Sequence, residues 1–413
     1  MKKGQVELIT TGTELLLGAV VNTNASWLGE KLTELGLRVT RQTTVPDGDA
    51  ISDALTDSMS RHPDIIIISG GLGPTSDDVT RECVAQVCGL KLEYRADAEA
   101  DLRQRFHDMG KVMTDNNLRQ TYAPETSQLL KNEKGTAPGI WVPATDSRPH
   151  LFLVPGPPRE LHWVYEQQIV PILHRELSLP EISVSTFTFF GASESALAEQ
   201  VDDVLSSSGL EYGYCARIGE VDVRVVGPRQ QVDEVLVEVK SLLPDFVCAQ
   251  NHETLAEYTV NILESKKLVL TTAESCTGGM ISTRITDVPG SSAVFKYGFV
   301  TYSNEAKVDM LGVDGQLINS FGVVSEPVVI TMAQCALNKS GANIAVAVTG
   351  EAGPLASPDS QPVGTVWVAW AMSNGKTYAK CLHYPKLSRG DIRYRVSQEA
   401  LIGICKLANG MNF

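Results

Sequence analysis

The chain has 413 residues, 43% of them hydrophobic, and a formal net charge of −14 at pH 7. This length exceeds what one ordinary hydrophobic core supports, so two or three domains are expected. No apolar run approaches the roughly 18 residues of a membrane-spanning helix. The opening stretch MKKGQVELITTG has two lysines without an apolar segment behind them, which argues against a secretory signal. These features disfavour a membrane or exported protein and predict a cytoplasmic one.

The charge is unevenly distributed along the chain. From Asn251 onward there are thirteen Lys or Arg and thirteen Asp or Glu, so the whole acidic excess lies in the first 250 residues. Such a surface repels a phosphate backbone and disfavours nucleic acid as a partner, but it is compatible with a small phosphorylated ligand or a divalent cation. The eight cysteines are scattered without a CxxC pair, which is typical of reduced thiols rather than of a metal cluster.

Strand and helix patterns alternate up to about residue 172. An apolar strand at 6–10 precedes a helix that Asn24 would cap. DIIIIS (64–69) is a continuous β-branched run, typical of a strand buried on both faces of a parallel sheet. LFLVP (151–155) repeats the pattern before another helix. Repeated strand, Gly-rich turn and helix predict a layered α/β domain.

The turns at the ends of these strands form the candidate nucleotide site of the first domain. In GGLGPTSDD (70–78), glycines after a buried strand let backbone N–H groups approach a phosphate, and the next helix adds its positive N-terminus. Asp77 and Asp78 suit such a site if Mg²⁺ bridges carboxylate and phosphate oxygens. Alternatively, one of them caps the helix that begins at Val79. Glu14 would lie on the same sheet edge, or act only as an accessory to its own helix N-terminus.

Between about 173 and 249 the pattern changes to short strands and two amphipathic helices. We interpret this segment as a small α+β module with a β-α-β-β-α order, in which two of the strands lie at 185–191 and 221–227 and the helices at 194–207 and 231–243. The module contains no cluster of candidate catalytic side chains. A spacer or dimerisation role is therefore preferred to a binding role.

The third segment again alternates strands and helices, and its turn AESCTGG (273–279) offers two nucleophiles, Ser275 and Cys276. The start of the following helix would supply free backbone N–H donors for an oxyanion. The histidines of this segment lie away from strand-end turns, which disfavours a Ser-His-Asp arrangement. Lys307 would lie in a first helical turn, where the positive helix end favours a neutral lysine base. The alternatives are an N-cap role for Ser275 and a solvated helix lysine.

Two further features of this segment suggest ligand contacts. TGEAGP (349–354) is a strand-end turn suited to backbone hydrogen bonding. Arg389 and Arg393 are four residues apart on one predicted helix face, and a pair of guanidinium groups can clamp a phosphate monoester. Solvated surface arginines are the alternative interpretation.

Several of these strings resemble the CinA family. TGTELLLG (11–18), VNTN (21–24), GGLGPTSDD and VPGPPRE resemble its first domain, which is related to the molybdopterin-binding MoaB and MogA domains. AESCTGG, TDVPGSSAVF, VTYSNEAK and PVGTV (362–366) resemble its PncC-type C-terminal domain. The resemblance covers nearly the whole chain and implies an α/β fold with two three-layer α/β domains (1–172 and 250–413). These would be joined by a small α+β, KH-like module (173–249), and the chain would form a homodimer.

The resemblance also implies two hydrolytic activities. The first domain would be an ADP-ribose pyrophosphatase that depends on a divalent metal such as Mg²⁺, with K⁺ as a further candidate ion. The third would hydrolyse nicotinamide mononucleotide (NMN) to nicotinate mononucleotide and ammonia without a cofactor. The expected catalytic residues are Ser275, Lys307 and Tyr302. The expected NMN-binding residues include the arginine pair described above, and the full set is Thr277, Gly278, Gly279, Asn304, Thr349, Gly350, Arg389 and Arg393. In the first domain the expected nucleotide-binding residues are Gly12, Thr13, Asn24, Gly70, Gly71, Gly73, Thr75 and Gly156, and the expected metal ligands are Glu14, Asp77 and Asp78.

One departure from the family pattern follows Pro354, where Leu355, Ala356 and Ser357 replace the usual run of glycines and would alter the approach of a ligand. Two classes of function remain open at this level. The preferred one is a bifunctional hydrolase of pyridine nucleotide salvage. The alternative is a non-catalytic molybdopterin- or nucleotide-binding protein linked to competence or DNA damage. Ser275 together with Lys307 favours catalysis, and the acidic surface argues against direct DNA contact.

Overall fold

The computed structural model describes residues 4–250, 253–356 and 361–411, and the chain divides into two compact units, residues 1–183 and 184–413. Ser357 lies outside the described residues, so the departure after Pro354 is described only at Leu355 and Ala356. None of the described helices combines the length and the apolar character that crossing a bilayer requires.

The first unit is an α/β domain around one six-stranded sheet. Its strands are β1 (Gln5–Thr11), β2 (Arg38–Val45), β3 (Ile65–Ser69), β4 (Leu92–Tyr94), β5 (Tyr122–Pro124), β6 (Gln128–Leu130), β7 (Gly139–Val142) and β8 (His150–Val154). Its helices are α1 (Thr13–Leu16), α2 (Thr23–Glu34), α3 (Ala50–Ser60), α4 (Thr80–Val87), α5 (Ala96–Asp108), α6 (Pro158–Val164) and α7 (Val170–Glu176). The sheet order is β2-β1-β3-β8-β7-β6, with the first four strands parallel and the last two antiparallel.

Strand β3 is buried on both faces, as its unbroken run of isoleucines predicted. Ile65 and Ile67 belong to a core that includes Leu28 of α2, whereas Ile66 and Ile68 belong to a second core with residues of α3 and α4. Because successive side chains of a strand point to opposite faces, these two cores cover the two sides of the sheet. The first unit therefore has three layers.

The second unit contains two sheets. The strands of the smaller sheet are β9 (Ser183–Phe190), β10 (Glu211–Arg217), β11 (Glu220–Gly227) and β12 (Val247–Gln250), and its helices are α8 (Glu194–Ser207) and α9 (Arg229–Leu242). The order β10-β11-β9-β12 has antiparallel pairing at both edges. Both helices pack on this sheet through a core of their own. The predicted β-α-β-β-α order is present, with one more strand at its end.

The larger sheet of the second unit is mixed. Its strands are β13 (Leu270–Glu274), β14 (Phe295–Val300), β15 (Ile344–Gly350), β16 (Thr365–Met372) and β17 (Thr377–His383), and the helices are α10 (Leu255–Ser265), α11 (Met280–Thr286), α12 (Asn304–Ala306), α13 (Gly315–Phe321), α14 (Glu326–Ser340) and α15 (Arg389–Asn409). In the order β14-β13-β15-β16-β17, the first three strands are parallel and the last two antiparallel. Two hydrophobic cores cover its faces, so this part is also three-layered.

Two predicted helix caps were wrong. Asn22, not Asn24, caps α2, since its side chain accepts the Ala25 N–H at 3.1 Å. The Asn24 amide instead donates to other parts of the fold. Neither Asp77 nor Asp78 caps α4, whose N-cap is Val79 without a side-chain hydrogen bond. Local sequence does not determine which of several short polar side chains faces the helix end.

Candidate functional site

The larger sheet of the second unit brings Ser275 and Lys307 together. Ser275 directly follows β13, and Lys307 follows α12, just beyond the end of the neighbouring parallel strand β14. The carboxyl ends of parallel neighbours meet at one sheet edge. There the Lys307 Nζ lies 3.0 Å from the Ser275 Oγ, although the two residues are 32 positions apart.

The Lys307 ammonium site is buried and lined by backbone carbonyls. The side chain is 1% exposed, and its Nζ donates to the carbonyl oxygens of Thr301 (3.0 Å), Tyr302 (3.3 Å) and Ser303 (3.4 Å). It forms no ion pair with a described carboxylate. Burial lowers the pKa of Lys307 to about 8, because the charged form loses its hydration. The solvated-lysine alternative is therefore wrong, and this lysine can act as a base near neutral pH.

Ser275 and Cys276 differ in their suitability as nucleophiles. Cys276 is buried, and burial raises the pKa of its thiol to about 12, which disfavours the reactive thiolate. Ser275 contacts the lysine amine directly and lines a cavity. Ser275 is not a helix cap, because α11 begins at Met280 with Gly279 as its N-cap. The geometry favours the serine.

The N-terminus of α11 is occupied by a carboxylate that sequence reasoning missed. Glu274 is completely buried and accepts the N–H groups of Gly279 (3.0 Å), Ile281 (3.1 Å) and Ser282 (2.8 Å). The expectation that the start of this helix supplies free donors was therefore wrong. The signal was present in the motif, since a carboxylate directly before the turn is well suited to a helix N-terminus.

Two N–H groups of the turn remain free. Among the described residues, every backbone N–H from Ser275 to Ser282 has an acceptor except those of Cys276 and Thr277. Gly278 and Gly279 adopt positive φ angles of 58° and 94°, and such a left-handed pair favours glycine. The turn thus leaves two N–H groups without a described acceptor directly after Ser275, and such donors are what an oxyanion requires.

The serine and lysine open into a cavity of about 570 Å³, within the usual range of small-molecule sites. The predicted site residues on its wall are Ser275, Tyr302, Asn304, Lys307, Thr349, Gly350 and Arg389. The Arg389 guanidinium donates to the Tyr302 hydroxyl at 3.2 Å and to the Gly353 carbonyl. The Thr349 hydroxyl donates to the Val323 carbonyl at 2.9 Å, and both residues line the cavity. Asn319 and Gln361, which sequence analysis did not select, also line the cavity.

The remaining predicted residues of this site are not part of the cavity lining. Thr277 is buried, and the lining does not include Thr277, Gly278, Gly279 or Arg393. The Arg393 guanidinium donates to the Thr277 carbonyl at 2.8 Å. The two arginines of the predicted phosphate clamp therefore occupy different positions, Arg389 on the cavity wall and Arg393 beneath the nucleophile turn.

In the first unit, three predicted strand-end turns meet at one edge of the sheet. The Asn24 amide donates to the Gly156 carbonyl at 2.7 Å and to the Ser69 hydroxyl at 3.2 Å. A Cβ atom on Gly70 would lie 2.6 Å from the Thr11 carbonyl oxygen, next to Gly12. The predicted residues Gly12, Asn24, Gly70 and Gly156 are thus neighbours, and close backbone approach requires the glycine at position 70.

Two other predicted residues of the first unit, Thr13 and Thr75, donate hydrogen bonds to aspartate carboxylates. The carboxylate of Asp47, which sequence analysis missed, accepts hydrogen bonds from Thr11 and from the backbone and hydroxyl of Thr13. The Asp78 carboxylate accepts the Thr75 N–H at 2.9 Å, beside Gly73.

The residues predicted to bind a metal do not form one ligand set. Within the described ranges there is no group of three or more His, Cys, Asp or Glu that could hold a metal ion, and Glu14, Asp77 and Asp78 are therefore not such a group. Gly71, one of the predicted nucleotide-binding glycines of this unit, adopts a positive φ of 67° beside Thr80.

Fold and site together define a multidomain α/β protein with a buried serine–lysine pair in a cavity of its C-terminal part. Residues 7–175 match the model described as a probable molybdopterin binding domain, and residues 252–408 match the CinA C-terminal domain. A CinA-like protein of Akkermansia muciniphila is 46% identical over 98% of this chain and 97% of its own length. A CinA-like protein of Shewanella frigidimarina is 36% identical over 94% and 92%. The chain belongs to the CinA family.

Solved structures that resemble this chain each cover less than half of it. The competence/damage inducible protein CihA from Agrobacterium tumefaciens is 42% identical, with 38% of this chain and 94% of that chain covered and a TM-score of 0.37. A CinA superfamily protein from Klebsiella pneumoniae is 30% identical, with 39% and 99% covered and a TM-score of 0.37.

Proposed function

We propose that the C-terminal part of this protein is an amidase that hydrolyses NMN to nicotinate mononucleotide and ammonia. The observation that carries the proposal is the 3.0 Å contact between Ser275 Oγ and the buried Lys307 Nζ on the wall of a cavity. A nucleophile with an adjacent base is what amide hydrolysis by an acyl-enzyme requires. The CinA-type motifs around both residues supply the choice of NMN as substrate.

The reaction begins with neutral Lys307. In this form, the two nearest backbone carbonyls, those of Thr301 and Tyr302, can accept the two N–H groups of the amine. The lone pair then faces the Ser275 hydroxyl. As Oγ attacks the amide carbon, the proton moves to Nζ and the carbonyl oxygen becomes an oxyanion. The free N–H groups of Cys276 and Thr277 stabilise that oxyanion. Lys307 then gives the proton to the departing nitrogen, the C–N bond breaks, and ammonia leaves an ester on Ser275.

Water completes the cycle by the same route. Lys307 takes a proton from water as the hydroxide attacks the ester carbon, and returns it to Ser275 Oγ when the ester bond breaks. Nicotinate mononucleotide leaves, and the serine and the neutral lysine are restored. At the other end of the substrate, Arg389 on the cavity wall supplies a guanidinium for the phosphate group.

Ammonia release tests the proposal directly. Purified full-length protein should release ammonia from NMN in proportion to enzyme concentration, with equimolar nicotinate mononucleotide as the second product. A preparation of Ser275→Ala purified in parallel controls for contaminating amidases. If the folded wild type releases no ammonia above this control, the amidase proposal is wrong, and the alternative of a non-catalytic nucleotide-binding protein becomes the better one.

For the first unit, we propose hydrolysis of the pyrophosphate bond of ADP-ribose. The supporting observation is the convergence of Gly12, Gly70 and Gly156 at one sheet edge with Asn24, since glycine turns at strand ends suit phosphate groups. Mg²⁺ commonly takes one or two protein carboxylates and completes its shell with phosphate oxygens and water. The homodimer and the use of K⁺ as a further ion remain predictions from the family resemblance.

Metal removal separates the two proposed activities. EDTA should abolish ADP-ribose cleavage, because pyrophosphate chemistry depends on a cation to neutralise the phosphates. NMN deamidation should be unchanged, because Ser275 and Lys307 need no ion. Added Mg²⁺ should restore the first activity. Equal loss of both activities in EDTA would contradict this separation.

A further inference from the structure

The turn that carries Ser275 is fixed from two sides by charged groups that do not reach the cavity. Glu274, immediately before the nucleophile, is 0% exposed and has no described cationic partner. Its carboxylate accepts three backbone N–H groups of the α11 N-terminus and the Ser282 hydroxyl at 2.6 Å. On the other side, Arg393 of α15 donates to the Thr277 carbonyl at 2.8 Å.

We propose that Glu274 and Arg393 are positioning residues, which hold the Ser275–Gly279 turn so that the Cys276 and Thr277 N–H groups stay free for the oxyanion. This inference rests on the proposed amidase function. It assigns Arg393 to the turn rather than to the substrate phosphate, and leaves Arg389 as the arginine that recognises the phosphate.

The hydrogen-bond inventory of the turn supports this assignment. Without the Glu274 carboxylate, the first N–H groups of α11 would be orphan donors that compete with the oxyanion site for anions and water. With it, the only N–H groups between Ser275 and Ser282 that lack a described acceptor are the two that directly follow the nucleophile. The Arg393 guanidinium donates to the Thr277 carbonyl, and its buried Nε has no hydrogen-bond partner among the described residues. Arg393 therefore contacts the turn through the backbone.

Substrate comparison separates a positioning arginine from a phosphate-binding one. Arg393→Ala should lower kcat for NMN at least about tenfold, the scale of one lost charge-assisted hydrogen bond, with KM within about twofold. The same kcat loss is expected with nicotinamide riboside, which lacks the phosphate. Arg393→Lys keeps a cationic donor and should recover most of the loss. Arg389→Ala should instead raise KM for NMN at least about tenfold, and it should affect the riboside reaction much less than the NMN reaction. Arg395→Ala, on the same helix, is the matched control and should alter neither constant.

Glu274→Gln tests the other anchor. The amide keeps the side-chain size, but its NH₂ group must face a backbone N–H donor. We expect kcat to fall at least about thirtyfold with KM within about threefold. Glu257→Gln is the matched control, because Glu257 accepts the Thr254 N–H at 2.8 Å at the start of α10, away from the cavity. It should leave kcat unchanged even if the melting temperature falls.

A readout that does not depend on NMN keeps this inference separate from the proposed function. Hydrogen exchange with mass spectrometry on the full-length protein should show faster exchange in the 275–282 peptide of Glu274→Gln and of Arg393→Ala than in the wild type. Faster exchange with an inert wild type would support the anchoring and reject the amidase. An unchanged exchange rate, or an Arg393→Ala effect confined to KM for NMN, would overturn the inference.

Discussion

Ser275→Ala is expected to lower kcat for NMN deamidation at least about a thousandfold, the scale of losing a nucleophile, while the fold stays intact. The hydroxyl is the only part of this side chain that the reaction uses, and the small change leaves the buried turn in place. Steady-state ammonia release with circular dichroism of the same samples measures both points. The ADP-ribose activity of the first unit should not change.

Cys276 provides the matched comparison. A thiol is intrinsically the stronger nucleophile, but this one is 5% exposed and its pKa is raised by burial to about 12. Cys276→Ala should therefore cost far less activity than Ser275→Ala, and iodoacetamide should not inactivate the wild type. A dead Cys276→Ala beside an active Ser275→Ala would reverse the assignment of the nucleophile.

Lys307→Ala should lose activity to an extent comparable with Ser275→Ala, because no other described base contacts the Ser275 hydroxyl. Lys307→Arg should not restore the rate, since a guanidinium cannot accept the proton. Added methylamine should partly rescue Lys307→Ala, and added guanidinium should not. If Lys307→Arg turned over NMN at a wild-type rate, the lysine would serve as a cation rather than as a base.

The pH dependence of kcat also tests whether Lys307 is the base. Burial lowers the pKa of Lys307 to about 8, and only the neutral amine can accept the serine proton. Wild-type kcat should therefore rise with pH through about 8 and level off above it, with a loss of about tenfold per pH unit below the pKa. A pH-independent rate between 6 and 9 would contradict a lysine base.

The sequence alone determined the fold class, the family and the residues on which the proposed amidase depends. β-Branched runs such as Ile65–Ile68 predict buried strands because their side chains pack well on a pleated surface, and this preference is local. The strings AESCTGG and YSNEAK identified Ser275 and Lys307 because functional turns follow strand ends in α/β sheets. The preference for Ser275 over Cys276 also began with the sequence, through the resemblance to the CinA family.

Only the tertiary structure decided which partner each polar group has. Burial of Lys307 depends on strands and helices distant in sequence, and its lowered pKa follows from that burial. Asn22 rather than Asn24 caps α2. The Glu274 carboxylate, not solvent, accepts hydrogen bonds from N–H groups at the start of α11. Arg389 and Arg393 lie four residues apart on one helix, but Arg389 lines the cavity and Arg393 contacts the Thr277 carbonyl. Hydrogen-bond partners are chosen by competition among groups that the fold brings together, and that competition is invisible in a local pattern.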